Sequence, residues 1–119
     1  MHEIGIASSI LETVDAEARR RPDSQIVAVG LRIGELSNID RDALSFAFDA
    51  ITRNTPWEKL KFEIEWCPRR QKCMTCSEEF PVENYQLDCP KCASSATTCI
   101  SGTELDIAYL EVEDLCAKP

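Results

Sequence analysis

Histidine is nearly missing from this 119-residue chain: there is one, and it is residue 2. No nucleophile–base pair is visible without an internal imidazole, so the chain reads as a binding protein and not an enzyme. A basic excess is missing too. Lys and Arg number 13 against 21 Asp and Glu, for a formal net charge of -8. Such a body repels phosphate backbones unless a basic face is segregated. Arg69, Arg70 and Lys72 form one local basic cluster and Arg19 to Arg21 another. Neither has interleaved aromatics, and both read as solvated flanks, so no nucleic-acid partner is expected. There is no apolar run near the roughly 18 residues a membrane span needs. The start, Met1-His2-Glu3-Ile4, has no basic stretch followed by a long apolar one, so no secretory signal is expected. Low-complexity segments are also lacking.

Hydrophobic residues make up 44%, enough for an ordinary core. Ile4, Ala7, Ile10, Leu11, Val14 and Ala18 recur at steps of three and four, which predicts a helix over 4–18 that Pro22 stops. Val27, Val29, Leu31 and Ile33 alternate with Ala28, Gly30 and Arg32, predicting a strand with one buried face. Asp40 is placed to cap a second helix carrying Leu44, Ala47, Phe48 and Ile51. Leu60, Phe62, Ile64 and Trp66 alternate with charges in a second strand. A third covers 104–113, with a change of phase after Tyr109 that suggests a bulge. Residues 117–119 read as a loose tail. The fold class expected is α+β: a three-stranded sheet packed against two helices, with a zinc-ribbon-like knuckle lobe inserted. The strands before and after the lobe are expected to pair with each other. The domains are then 1–66 plus 100–119, and 67–99.

Cysteine is plentiful, with seven in the chain. Cys73-Met-Thr-Cys76 and Cys89-Pro-Lys-Cys92 are two Cys-x-x-Cys pairs with twelve residues between them. A thiolate pair at that spacing holds one metal ion through a tight turn, and two such turns close a tetrahedral site with no open position. Such a site supports structure and does no hydrolysis. Zn(II) suits it; iron in an electron carrier would also accept four sulfurs. Ser77 and Ala93 follow the pairs, where glycine often takes a left-handed turn, which predicts somewhat looser knuckles. Cys67, Cys99 and Cys116 remain as structural or surface thiols, and unpaired thiols point to a reducing compartment, the cytoplasm.

The N-terminus offers a second metal site. A bulky residue 2 favours retention of Met1. Its amine, the His2 amide nitrogen and the His2 imidazole can then form fused chelate rings, with the Glu3 amide or side chain as a fourth donor. Tetragonal nitrogen and oxygen coordination suits Ni(II) or Cu(II). A zinc-ribbon adaptor or nucleic-acid-binding protein is the competing class, disfavoured by the charge.

Met1-His2-Glu3, Leu31-Arg-Ile-Gly-Glu-Leu-Ser37, Ala43-Leu-Ser-Phe-Ala-Phe48, Thr52-Arg-Asn-Thr55, the two cysteine pairs and Gly102-Thr-Glu-Leu-Asp-Ile107 together resemble the HypA/HybF hydrogenase nickel-incorporation proteins. The resemblance covers nearly the whole chain. It implies a metallochaperone with Ni(II) bound by the Met1, His2 and Glu3 region and structural Zn(II) on Cys73, Cys76, Cys89 and Cys92. It implies delivery to the [NiFe]-hydrogenase large subunit with a HypB-type GTPase.

Overall fold

The first helix, α1 (Glu3–Arg19), buries Ile6, Ala7, Ile10 and Val14. These lie on one stripe at helical spacing. Ile4 was expected on that stripe and is instead 52% exposed, while Ile6 is buried. At 3.6 residues per turn, Ile4 lies about 100° from the centre of the stripe, at its margin. The structure is a computed structural model that describes residues 2–115. The Met1 amine, Cys116 and the tail 117–119 lie outside the described residues.

Strand β1 (Ser24–Gly34) is followed by a 3₁₀ turn, Glu35–Ser37, and by helix α2 (Arg41–Thr52). The Asp40 side chain caps α2 as expected, accepting the Ala43 N–H at 3.0 Å. The helix buries Leu44, Ala47, Phe48 and Thr52. Strands β2 (Lys61–Cys67), β3 (Arg70–Cys73), β4 (Glu79–Pro81), β5 (Thr97–Ser101) and β6 (Leu105–Asp114) complete the order.

The main sheet runs β2-β1-β6. The expected pairing of β2 with β6 is therefore wrong: β1 lies between them. The reason is visible in β1 itself, where Ala28 and Gly30 are buried along with Val29, Leu31 and Ile33. Both faces are covered, as befits a central strand. The sequence reading assigned the small residues to solvent because they interrupt the branched ones. β2 behaves as an edge strand, with half-buried Phe62, Ile64 and Trp66 alternating with exposed Lys61, Glu63 and Glu65. Along β6 the half-buried residues are Ile107 and Leu110, an odd step apart, as the change of phase suggested. Phe48 stacks on Phe62 with ring centroids 3.7 Å apart, joining α2 to β2.

Gly30 explains how the second face of β1 is covered. A side chain there would run into the ring of Tyr109. Tyr109 lies across β1 from β6 and donates its hydroxyl to the Glu63 carboxylate on β2. That bond, with burial second, raises the Tyr109 pKa above its ordinary value. Gly30→Ala should displace the ring and lower stability by about 1–3 kcal/mol, the usual penalty of overpacking. Thermal unfolding checks this.

The chain divides into two compact units. One is Met1–Leu31, Ile39–Glu65 and Asp106–Pro119; the other is Arg32–Asn38 and Trp66–Leu105. The second contains an antiparallel sheet ordered β4-β3-β5, with Gln71 opposite Phe80 on one side and Cys99 on the other. Segment 32–38 is tied into this unit by backbone. Gly34 N–H donates to Glu104 O and Leu36 N–H to Gly102 O, each at 2.7 Å. The Glu35 carboxylate accepts the Arg69 N–H at 2.8 Å. The sequence neighbours of Glu35 give no sign of that bond. Among the described residues, no helix is long and apolar enough to cross a membrane.

Candidate metal centre

β3 delivers Cys73 to the first knuckle. Cys73 N–H donates to Glu78 O at 2.8 Å, and Ser77 N–H returns to Cys73 O at 3.0 Å. The second knuckle repeats this pattern: Cys89 N–H to Ser94 O and Ala93 N–H to Cys89 O, each at 2.9 Å. Ser77 and Ala93 take φ of 67° and 64°, the left-handed turn that a glycine would adopt freely. The expected loosening is thus absent from the turns. Each knuckle closes, and the strain stays in two residues that carry a Cβ. Ser77→Gly and Ala93→Gly should each stabilise the zinc-loaded protein, by about 0.5–1 kcal/mol, measurable as a rise in Tm.

The four cysteine sulfurs converge. Cys73, Cys76, Cys89 and Cys92 place their Sγ atoms within 4.8 Å of one another. Cys73 and Cys92 approach to 3.6 Å, and so do Cys76 and Cys89. A tetrahedral zinc with Zn–S bonds near 2.3 Å requires sulfurs about 3.8 Å apart, so the set fits zinc. Backbone N–H groups point at the sulfurs as well: Thr75 and Cys76 donate to Cys73 Sγ at 3.3 and 3.4 Å, and Lys91 to Cys89 Sγ at 3.4 Å. The Cys76 N–H, ahead of the other influences, pulls the Cys73 thiol down to about 6. At Cys92 the Ser94 N–H also pulls down, but the crowding of Cys73, burial and the other two sulfurs outweigh it and push the thiol up to about 12. Four sulfurs this close cannot all ionise unless a cation sits among them.

One contact escaped the sequence reading. The Thr75 and Ser94 hydroxyls meet at 2.9 Å and bridge the two knuckles. Ser94 Oγ also accepts the Ala96 N–H at 3.1 Å. Nothing in the cysteine spacing signals this bridge. Cys67 and Cys99 do not join the cluster.

The other expected ligands are placed differently. His2 is the N-cap of α1, in extended conformation, exposed, and its side chain makes no capping bond. Glu3 opens the helix. Its carboxylate accepts the Asp40 N–H at 3.0 Å, which tethers the start of α1 to the start of α2. That bond, first among the causes, holds the Glu3 carboxyl below its ordinary value of 4.5. The tether's contribution is therefore present above that value and is lost as pH falls below it. Among the described residues, the four cysteines are the only group of three or more His, Cys, Asp or Glu whose ligand atoms converge.

Comparison with known proteins agrees with this architecture. Residues 1–112 match the HypA family, described as hydrogenase/urease nickel incorporation, metallochaperone. A hydrogenase maturation factor HypA from Geobacter metallireducens is 41% identical over 113 residues, covering 95% of this chain and 100% of its own. One from Chlorobaculum parvum is 34% identical with the same coverage. The solution structure of the Ni metallochaperone HypA from Helicobacter pylori is similar with a TM-score of 0.59 and 26% identity, covering 93% of this chain and 97% of that one. The solution structure of a further HypA protein gives a TM-score of 0.68 at 26% identity, covering 96% and 98%. The family carries metal and does not catalyse. With matches that span nearly the full length and a cysteine cluster shaped for zinc, this chain belongs to the HypA family of nickel metallochaperones for hydrogenase maturation.

Proposed function

We propose that the chain takes up Ni(II) as cargo on Met1, His2 and Glu3 and releases it to the [NiFe]-hydrogenase large subunit with the help of a HypB-type GTPase, in the cytoplasm. In this reading the nickel domain is 1–66 plus 100–119 and the zinc domain is 67–99, with 32–38, 66 and 100–105 packing alongside the zinc domain in the second compact unit. The observation that carries the reading is the position of His2 at the N-cap. The first helical bond is Ile6 N–H to His2 O, so the His2 and Glu3 N–H groups lie outside the helical ladder. Either amide can lose its proton to a metal without breaking a helical hydrogen bond. The Glu3 carboxylate accepts the Asp40 N–H through one oxygen, so the Glu3 amide and the second carboxylate oxygen are the two candidates for the fourth donor.

The two sites differ in what they permit. Zinc is held by four sulfurs, two of them on buried cysteines. Nickel on an exposed helix start leaves room for an acceptor to exchange ligands one at a time. Parallel nickel and zinc titrations of the wild type test the reading: one equivalent of each is expected. Acetylating the Met1 amine should abolish tight nickel uptake and spare zinc. Full nickel affinity in the acetylated protein would reject the terminal site.

A further inference from the structure

A hollow of about 380 Å³ opens on the second unit beside Cys89. Phe80, Pro81 and Pro90 supply apolar lining, while Glu83, Gln86 and Asp88 supply polar groups. No cation lines it. Among the described residues neither Glu83 nor Asp88 has an ion-pair partner. The volume is in the range of about 300–1,000 Å³ typical of ligand pockets. Between Glu83 and Gln86 the chain makes a two-residue turn. Gln86 N–H donates to Glu83 O at 3.0 Å, and Asn84 and Tyr85 have φ of 52° and 60°. This turn leaves Tyr85 94% exposed.

These features suit one chemistry. A Lys or Arg side chain has an apolar stem and a charged head. The stem fits the Phe80 and proline lining, and the head fits two carboxylates that have no partner of their own. An exposed tyrosine two residues after Glu83 adds a ring on which a guanidinium can stack. We propose that this face of the second unit binds a basic peptide segment of a partner protein. A phosphate backbone would meet the same carboxylates as repulsion. The proposal is separate from the nickel reading: the face would hold such a segment wherever the nickel is carried.

The test uses zinc-loaded, ¹⁵N-labelled protein and the hexapeptide Ac-Gly-Leu-Lys-Arg-Leu-Gly-NH₂, beside a counterpart with Glu in place of Lys and Arg. Saturable amide shifts confined to residues 80–93 are expected with the basic peptide only, weakening as salt rises. The double variant Glu83→Gln, Asp88→Asn should weaken binding by about fivefold or more, given two exposed charge pairs. Its zinc content and nickel uptake should not change. Tyr85→Ser, at a nearly fully exposed position, gives a second reading if the double variant disturbs the loop, with a loss of about threefold expected. Equal binding of the acidic peptide, shifts centred elsewhere, absence of binding, or undiminished affinity in both variants would overturn the proposal.

Discussion

Removing zinc should unfold the second unit and leave the first unit's helices and sheet folded. The buried hydrophobic cluster of the metal lobe is Cys73, Phe80 and Cys89, with Cys76 packed against it, and Gln71 is the buried polar side chain beside it. Its core is thus largely its own ligand set. Burying a phenylalanine is worth about 1.5–3 kcal/mol. Structural zinc sites in small domains supply about 10–16 kcal/mol. The metal therefore dominates, and the strands of three to five residues around it have little else to hold them. Hydrogen exchange on chelated protein should lose protection in β3, β4 and β5 while α1, α2 and β1 up to Leu31 keep theirs. Simultaneous loss everywhere would show that one cooperative unit had been mistaken for two. Ligand variants should grade by burial: Cys73→Ser and Cys89→Ser, at positions 0% and 2% exposed, more damaging than Cys92→Ser at an exposed one.

His2→Ala should cost nickel affinity at least about 100-fold, since even residues that merely orient ligands are worth 10- to 100-fold. Zinc content should not move. The neutral imidazole and deprotonated amides make uptake release protons, so affinity should fall steeply in acid. Glu3→Gln separates two versions of the site. If the Glu3 amide is the donor, this variant should bind nickel within about threefold of wild type, because an amide side chain still accepts the Asp40 N–H. If the carboxylate is the donor, it should fall alongside His2→Ala. Isothermal titration at two pH values distinguishes these outcomes. Unchanged nickel binding by His2→Ala would sink the terminal site.

The four-cysteine cluster was legible in the sequence because Cys-x-x-Cys is a local geometry: the turn that brings two thiolates together is contained in four residues. The helices were legible for the same reason, from periodicity and from Asp40. What periodicity could not reveal was which strand lies in the middle. β1 carries small residues where a central strand is covered from elsewhere, and Gly30 looks the same in sequence whether it faces water or the Tyr109 ring. The Glu3–Asp40, Glu35–Arg69 and Thr75–Ser94 bonds were hidden because each joins residues distant in the chain through polar side chains that otherwise read as solvent-facing.

Segment 32–38 has a consequence for how such a protein can be inherited. The zinc unit includes a strap that the gene encodes ahead of α2, and three of its anchors, at Gly34, Glu35 and Leu36, reach residues 69–104. A gene fragment carrying both cysteine pairs would leave that strap behind. The metal unit is therefore not a cassette that recombination could lift from one gene and paste into another. It must travel with the rest of the chain, so changes to either unit accumulate in one continuous reading frame.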